Sequence, residues 1–385
     1  MLSSVIIGVI AAILLDGLTM GMLNQMLSNQ INSSISHMQI HKKGFNDNKT
    51  VQNYLPDYRK TEEIVKNNPS VKHYCKRVIT FGLLSSAANS SGVYINGIIP
   101  DEEENITYIK SSIIEGGYIT GEGREIVIGK NLAEKLDVGL GDKVVAMSNT
   151  PDGSVGSDVF RIAGIYETFS SEFDRINIYI PISRAQQMLD IGDNIHEIAI
   201  ITNDYNQVTA VKEEITKQLN GGYEILSYID LLPLLVVMLD MYKEMTWIIN
   251  LIVGLALIFG IINVMLMAVF ERIREFGVLI SIGMKTSKLF MMIVIESFII
   301  GIMGTGLGIT LGLIIQVPLS KIGINLSIFA ESLKSYGVGA VIYPAASMDN
   351  LVSLLVMIPF ISVIAALYPA YKAIKLEPVS AIRYV

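Results

Sequence analysis

Four apolar stretches constrain this chain more than any other feature: Leu2 to Met22, Thr246 to Phe270, Leu289 to Val317 and Leu351 to Tyr371. A helix that crosses a bilayer needs roughly 20 consecutive apolar residues, because its backbone must satisfy its own hydrogen bonds inside hydrocarbon. Each stretch meets that length. The segment between the first and second, residues 24 to 245, is polar. That mixture explains how a chain can be 51 % hydrophobic and still 17 % charged. The expected fold class is a membrane protein of four transmembrane α-helices, one before and three after a large α+β extracytoplasmic domain. The domain boundaries follow: 1–23 for the first helix, 24–245 for the outer domain with helical stalks, and 246–385 for three further helices.

The first stretch reads as a retained helix and not as a signal peptide. It has no Lys or Arg at its start, is long for a signal core, and is followed by no small-x-small cleavage pattern. Orientation follows from the short connections. Residues 271 to 288 carry Arg272, Arg274, Lys285 and Lys288, and the tail carries Lys372, Lys375 and Arg383, so both belong in the cytoplasm. The connection 318 to 348 holds only Lys321 and Lys334 and belongs outside, as does the domain after the first helix. That domain is acidic, with a formal charge of −9 within a chain of −7.

In the outer domain, Val71 to Thr80, Gly92 to Ile99, Glu125 to Ile128, Lys143 to Met147, Val159 to Tyr166, Ile176 to Ile180 and His196 to Thr202 are rich in Val, Ile and Tyr and read as strands. Thr61 to Asn67, Asn131 to Leu136, Ser183 to Leu189 and Asn206 to Leu219 read as helices. The acidic run Asp101 to Glu104 reads as a solvated loop. Its flanks are more telling. Met20, Leu23, Leu27, Ile31 and Ile35 keep a three-to-four spacing beyond the first span, and Leu231, Leu234, Met238, Met241 and Met245 keep it before the second. Both spans should continue outward as amphipathic helices that pack into a stiff stalk.

Within the spans, Asp16 and Glu296 are costly in hydrocarbon and suit a helix-packing or interfacial role. Gly304, Gly308 and Gly312 recur every four residues, a smooth face for close approach of another helix in the bundle or in a dimer.

Several chemistries are disfavoured. There is no G-x-x-x-x-G-K-[ST] loop, so ATP is not expected to bind here through a P-loop. The four histidines are scattered and form no metal-ligand pattern. No G-x-S-x-G elbow pairs a nucleophile with a base. No catalytic residues, metal or cofactor are therefore expected. The net acidic charge disfavours nucleic acid. The single cysteine, Cys75, can form no internal disulfide and reads as a buried filler in a strand.

The cytoplasmic connection runs Glu271-Arg-Ile-Arg-Glu-Phe-Gly-Val-Leu-Ile-Ser-Ile-Gly-Met284, and the tail runs Tyr368-Pro-Ala-Tyr-Lys-Ala-Ile-Lys-Leu-Glu-Pro-Val-Ser-Ala-Ile-Arg383. Both resemble the signatures of the FtsX/MacB/Lol family of ABC transporter permeases. Ser36-His-Met-Gln-Ile-His41 and Asp158-Val-Phe-Arg-Ile-Ala-Gly-Ile-Tyr166 are similar to its lipoprotein-releasing, LolC/LolE-like branch. One departure is the start: Met1 opens directly into the helix, where family members carry a basic amphipathic segment.

The resemblance implies a MacB-type periplasmic core domain and an FtsX-like permease domain in a bacterial inner membrane. It implies pairing with ABC ATPase subunits and with a second permease, a copy or a paralogue. Work would be done by mechanotransmission on lipoproteins or other amphipathic substrates, and the lack of a polar lining in the spans agrees that they form no pore. Glu271, Arg272, Arg274, Glu275, Phe276 and Gly277 would form the segment seated in the ATPase. On the residues alone, Phe276 and the interleaved charges suit docking into a cleft. The alternative function is an FtsX-like regulator whose outer domain activates a cell-wall hydrolase.

Overall fold

The structure is a computed structural model that describes residues 2–219 and 221–375. It divides into two compact units. One comprises the chain up to Gln25, Val237–Ser327 and the chain from Val341; the other comprises Met26–Val236 and Ile328–Ala340. The end of the closing sequence motif, residues 376 to 383, lies outside the described residues.

Helix α1 (Leu2–Gln30) continues as a π-turn (Ile31–Ile35) and delivers the chain into β1 (Met38–Lys42). There follow α2 (Tyr58–Asn67), β2 (Val71–Ser85), β3 (Ser90–Ile98), α3 (Pro100–Glu103), β4 (Ile113–Gly116), β5 (Glu125–Gly129) and α4 (Lys130–Leu136). Next come β6 (Lys143–Asn149), β7 (Val155–Tyr166), α5 (Ser171–Ile176), β8 (Asn177–Pro181), α6 (Ile182–Leu189), β9 (Glu197–Thr202), α7 (Val208–Gln218) and β10 (Tyr223–Ser227). A single turn, α8 (Tyr228–Leu231), leads into α9 (Pro233–Glu271), then α10 (Ile273–Ser281) and α11 (Thr286–Ile322). The strands β11 (Ile324–Asn325) and β12 (Val341–Ile342) bracket α12 (Ala330–Ser335), and α13 (Met348–Ile374) is the last described helix.

The outer unit is built on one ten-stranded mixed sheet, ordered β10-β1-β9-β2-β3-β8-β5-β7-β4, with β6 paired to β2 and β7. Alternation along the strands sends Ile95, Ile126, Ile128, Phe160 and Ile178 into the core, where Leu132 and Leu136 of α4 and Leu189 of α6 meet them. Burying one such side chain stabilises by about 1.5–3 kcal/mol. At one edge of the sheet, β10 pairs with β1. Met38 pairs with Ser227 on one side and Ile200 on the other, so the strand leaving α1 and the strand entering α8 and α9 are antiparallel neighbours.

Every strand and helix expected in the domain is present, and α3, α5, β1, β4 and β10 are additional short elements. The acidic run requires correction. Asp101 to Glu103 belong to α3, and Glu103 is fully buried against Arg77.

In the other unit, α1, α9, α11 and α13 are long and apolar enough to cross a membrane. At 39 residues α9 is about 58 Å long, far more than a hydrocarbon core of roughly 30 Å requires. Many of the large apolar side chains on these helices are exposed, as lipid-facing residues are. Small residues let the helices approach closely beside a buried cluster that includes Leu257, Ile261, Leu289 and Ile358. A Cβ on Gly301 would collide with Ser362, and one on Gly254 would lie 2.2 Å from Ile361.

Candidate functional site

Among the described residues, no set of three His, Cys, Asp or Glu side chains could hold a metal ion. What the structure offers instead is an inner charged turn, a helix contact in the membrane unit and a buried joint in the outer unit.

At the inner turn, α9 ends at Glu271, Arg272 leaves helical geometry, α10 runs to Ser281, and Gly283, with a φ of 99°, reverses the chain toward α11. The Arg272 guanidinium makes three contacts. Its Nε donates to Glu275 Oε2 at 3.2 Å, its Nη1 to Glu296 Oε1 at 3.3 Å, and its plane lies 5.4 Å from the Phe276 ring centre. Glu296 thus has a partner at the helix end, and Asp16 has one as well, the Tyr242 hydroxyl at 3.0 Å.

One sequence expectation fails here. Phe276 does not face outward to dock; it is 2 % exposed and packs in the apolar cluster with Val269, Leu289 and Ile293. Gly277 is buried beside it. The segment's outward face consists of Glu271, Arg274, Glu275, Val278 and Ile282, the last 76 % exposed. The physical reason is amphipathic periodicity. Ile273, Phe276 and Gly277 share one face of α10, and that face covers the end of the bundle.

Gly304, Gly308 and Gly312 lie on α11 against α1. A Cβ at each would stand 2.8, 2.8 and 2.9 Å from Val5, Val9 and Ile13, which recur at the same spacing of four. The glycine face is a contact inside the chain's own bundle.

The outer joint centres on Arg77 in β2. Its Nε and Nη2 donate to both oxygens of Glu103 at 2.8 and 2.7 Å, and its Nη1 donates to Glu197 at 2.7 Å. The same Nη1 donates to the Ser34 carbonyl at 2.7 Å, in the π-turn that ends α1. His41 Nε2 lies 2.8 Å from the second Glu197 oxygen. The charged side chains of Arg77, Glu103 and Glu197 are 5, 0 and 3 % exposed. Burial pushes the Glu197 carboxyl up, but Arg77 and His41 outweigh it and hold it below the usual range. Cys75 donates to Glu103 at 3.2 Å and burial pushes its thiol up, so it is an inert neighbour.

Further ties converge on the chain leaving α1. Ser36 adopts φ 60°, strained for a residue with a side chain. The His37 Nδ1 accepts the Thr202 N–H at 3.1 Å, and the His37 carbonyl accepts the Tyr228 N–H at 3.0 Å. Burial, helped by Lys72, pushes the His37 pKa down to about 4. Ser227 and Asp230 form a reciprocal cap on α8. The segment around α12 also docks on this unit: Lys334 pairs with Glu167 at 2.6 Å, and Asn29 donates to the Gly337 carbonyl at 2.9 Å.

The second stalk stripe differs from expectation. Leu234, Met238, Met241 and Met245 are exposed and begin a seam of Leu234, Met238, Met241, Met245, Ile248, Ile252, Leu255 and Phe259. These residues are 46–80 % exposed and spaced alternately by four and three. The opposite face, with Asn250, Gly254, Leu257, Ile261 and Met265, is the buried one.

Sequence reasoning missed the joint, because Arg77, Glu103 and Glu197 are far apart along the chain. The available signal was a charged residue inside a strand-forming run, Arg77 within Val71 to Thr80.

Residues 1–218 match the MacB-like periplasmic core domain family, and residues 247–378 match the FtsX-like permease C-terminal family. The lipoprotein-releasing system transmembrane protein LolC of Xylella fastidiosa is 23 % identical over 86 % of this chain and 82 % of its own length. LolC of Neisseria meningitidis serogroup B is 22 % identical over 87 % and 83 %. The macrolide export ATP-binding/permease protein MacB of Acinetobacter baylyi is 23 % identical over 98 % of this chain, which spans 56 % of MacB. Among solved structures, the periplasmic region of MacB from Actinobacillus actinomycetemcomitans aligns over 52 % of this chain and 94 % of that one, at 16 % identity and a TM-score of 0.37.

Proposed function

Because the chain belongs to the FtsX/MacB/Lol permease family, with a MacB-like periplasmic core domain and an FtsX-like permease domain, we propose that it is the membrane subunit that releases lipoproteins by mechanotransmission. It is an ABC transporter permease of the MacB/LolC/FtsX type and a multi-pass inner-membrane protein; such permease subunits pair with an ATPase. Lipoproteins are the proposed load. Support comes from the match to most of the length of LolC proteins, whose name states that role. Hydrolysis of ATP is assigned to a separate subunit seated on α10.

The observation that carries the reading is the continuity of α9. One helix of about 58 Å follows β10 and α8 in the chain and ends at the charged turn before α10. A displacement of the turn would be carried along a stiff rod. The docking face we assign to the ATPase is Glu271, Arg274, Glu275, Val278 and Ile282. Arg272, Phe276 and Gly277 hold that face in position from behind.

A second permease is assigned to the α9 seam. Its outer part, Leu234 to Met245, is interrupted by Asp240, Lys243 and Glu244 and so does not lie in hydrocarbon. Exposed Leu and Met there need a protein cover. A strict alternation of four and three residues is the repeat that two supercoiled helices share. The test uses the buried, inert Cys75 as a quiet background. Single cysteines placed from Leu234 to Met245 in native membranes should cross-link to a second permease at Met238, Met241 and Met245 and not at Asp240 or Lys243. Cross-links without that period, or none, would remove the assignment.

A further inference from the structure

The membrane unit contains a trough whose two ends differ in chemistry. Trp247 of α9, Phe298 of α11 and Val352, Val356 and Phe360 of α13 enclose a volume of ≈ 560 Å³. From Asp349 to Val363 it follows α13 for about 21 Å, longer than the roughly 15 Å of hydrocarbon in one leaflet. At its Asp349 end, Trp247, Asp349 and Ser353 also line a small polar cavity completed by Asp16, Lys243 and Asn350. The trough is therefore amphipathic along its length.

The polar end is organised. Asn250 donates to Asn350 at 2.7 Å, and Tyr242 donates to Asp16 at 3.0 Å, which fixes the floor of the small cavity. Two charges remain available. Lys243 has one loose ion pair, with Asp240 at 3.5 Å, and Asp349 has no ion pair among the described residues. A purely anionic headgroup would meet Asp16, Asp240 and Asp349, and a purely cationic one would meet Lys243. A headgroup that carries both charges suits the pair. A primary ammonium suits Asp349 best, because a carboxylate accepts its N–H groups and a quaternary ammonium has none to give.

We infer that this trough is a binding site for a zwitterionic phospholipid with a primary ammonium headgroup. One acyl chain lies along Val352, Val356 and Phe360, the phosphate sits at Lys243, and the ammonium sits at Asp349. The site is independent of the transport reading, and a partner helix on the α9 seam leaves it open to the bilayer. Trp247 falls between the seam positions Met245 and Ile248 and is not part of the repeat.

Trp247 is the only tryptophan in the chain, so the site reports on itself. The full chain in phosphatidylcholine vesicles is titrated with phosphatidylethanolamine, phosphatidylcholine or phosphatidylglycerol brominated on the acyl chain. Bromine quenches tryptophan on contact. Brominated phosphatidylethanolamine should quench saturably, reaching half effect at a mole fraction several-fold lower than either other lipid. Val356→Phe fills the trough from its lipid-facing side and should remove the saturable part while leaving the thermal midpoint unchanged. Lys243→Glu should move the half-effect point several-fold upward. Quenching that rises in proportion to mole fraction, equally for all three headgroups, would overturn the site. Saturable quenching that prefers phosphatidylcholine or phosphatidylglycerol would overturn the headgroup assignment, and saturation that survives Val356→Phe would overturn the placement of the chain.

Discussion

The outer joint and the inner turn are both built on an arginine between two glutamates, yet they differ in exposure. Around Arg77 the charged groups are withdrawn from water and the guanidinium makes four short bonds, including one to the Ser34 carbonyl. Around Arg272 the partners Glu275 and Glu296 are 66 and 43 % exposed, and the contacts are longer. A buried pair cannot exchange partners without a large desolvation cost, whereas an exposed pair can. The outer arginine is thus locked to its partners, whereas the inner one is held by contacts that water can replace.

The comparison breaks most visibly at Arg77. Arg77→Met strands two buried carboxylates and should cost about 3–5 kcal/mol of outer-unit stability, measured as denaturant-induced loss of protease resistance in the full chain. Replacing Glu103 and Glu197 with methionine as well should recover most of the loss, since an apolar trio needs no partners.

Acid should loosen the same joint. His37 is neutral in the fold with its pKa near 4, while an unfolded histidine titrates near 6.5. Its contribution is therefore full above about pH 6.5 and is lost as pH falls toward 4, to the extent of about 2–3 kcal/mol. The stability difference between the protein and His37→Gln, followed from pH 8 to 4, should shrink over that window. A constant difference would contradict the assigned state.

The membrane contact gives a smaller effect. Gly308→Leu must displace Val9 and should cost about 1–3 kcal/mol in thermal stability, while Gly306→Leu, with nothing within 4 Å, should cost nothing measurable. Smallest of all is Arg272→Ala, for which the exposed pairs predict a loss of at most about 1 kcal/mol.

How far these features were legible in sequence depends on the range of the interaction. The four spans were legible because twenty apolar residues in a row carry their own evidence, and the glycine face was legible because its spacing is local. The joint was not, because Arg77 finds Glu103 across a strand turn and Glu197 across most of the domain. Glu103 looked like one of a solvated acidic run, and only the sheet brings Arg77 beneath it. The direction in which Phe276 points was not legible. In nine residues of α10, charges on both sides of an aromatic do not reveal which face the bundle takes. The seam was legible as a repeat of four and three, but such a repeat does not say which surface covers it.

The central claim is that the outward face of α10 receives an ATPase subunit. The most direct measurement is purification of the full chain from its native membrane in mild detergent, followed by ATP hydrolysis of what comes with it. The account predicts that an ATP-hydrolysing subunit co-purifies with the unaltered chain and with Arg272→Ala. It predicts loss of that subunit from Ile282→Asp, with the variant's thermal midpoint unchanged. A chain that purifies without ATPase activity, or an Ile282→Asp variant that keeps all of it, would contradict the account.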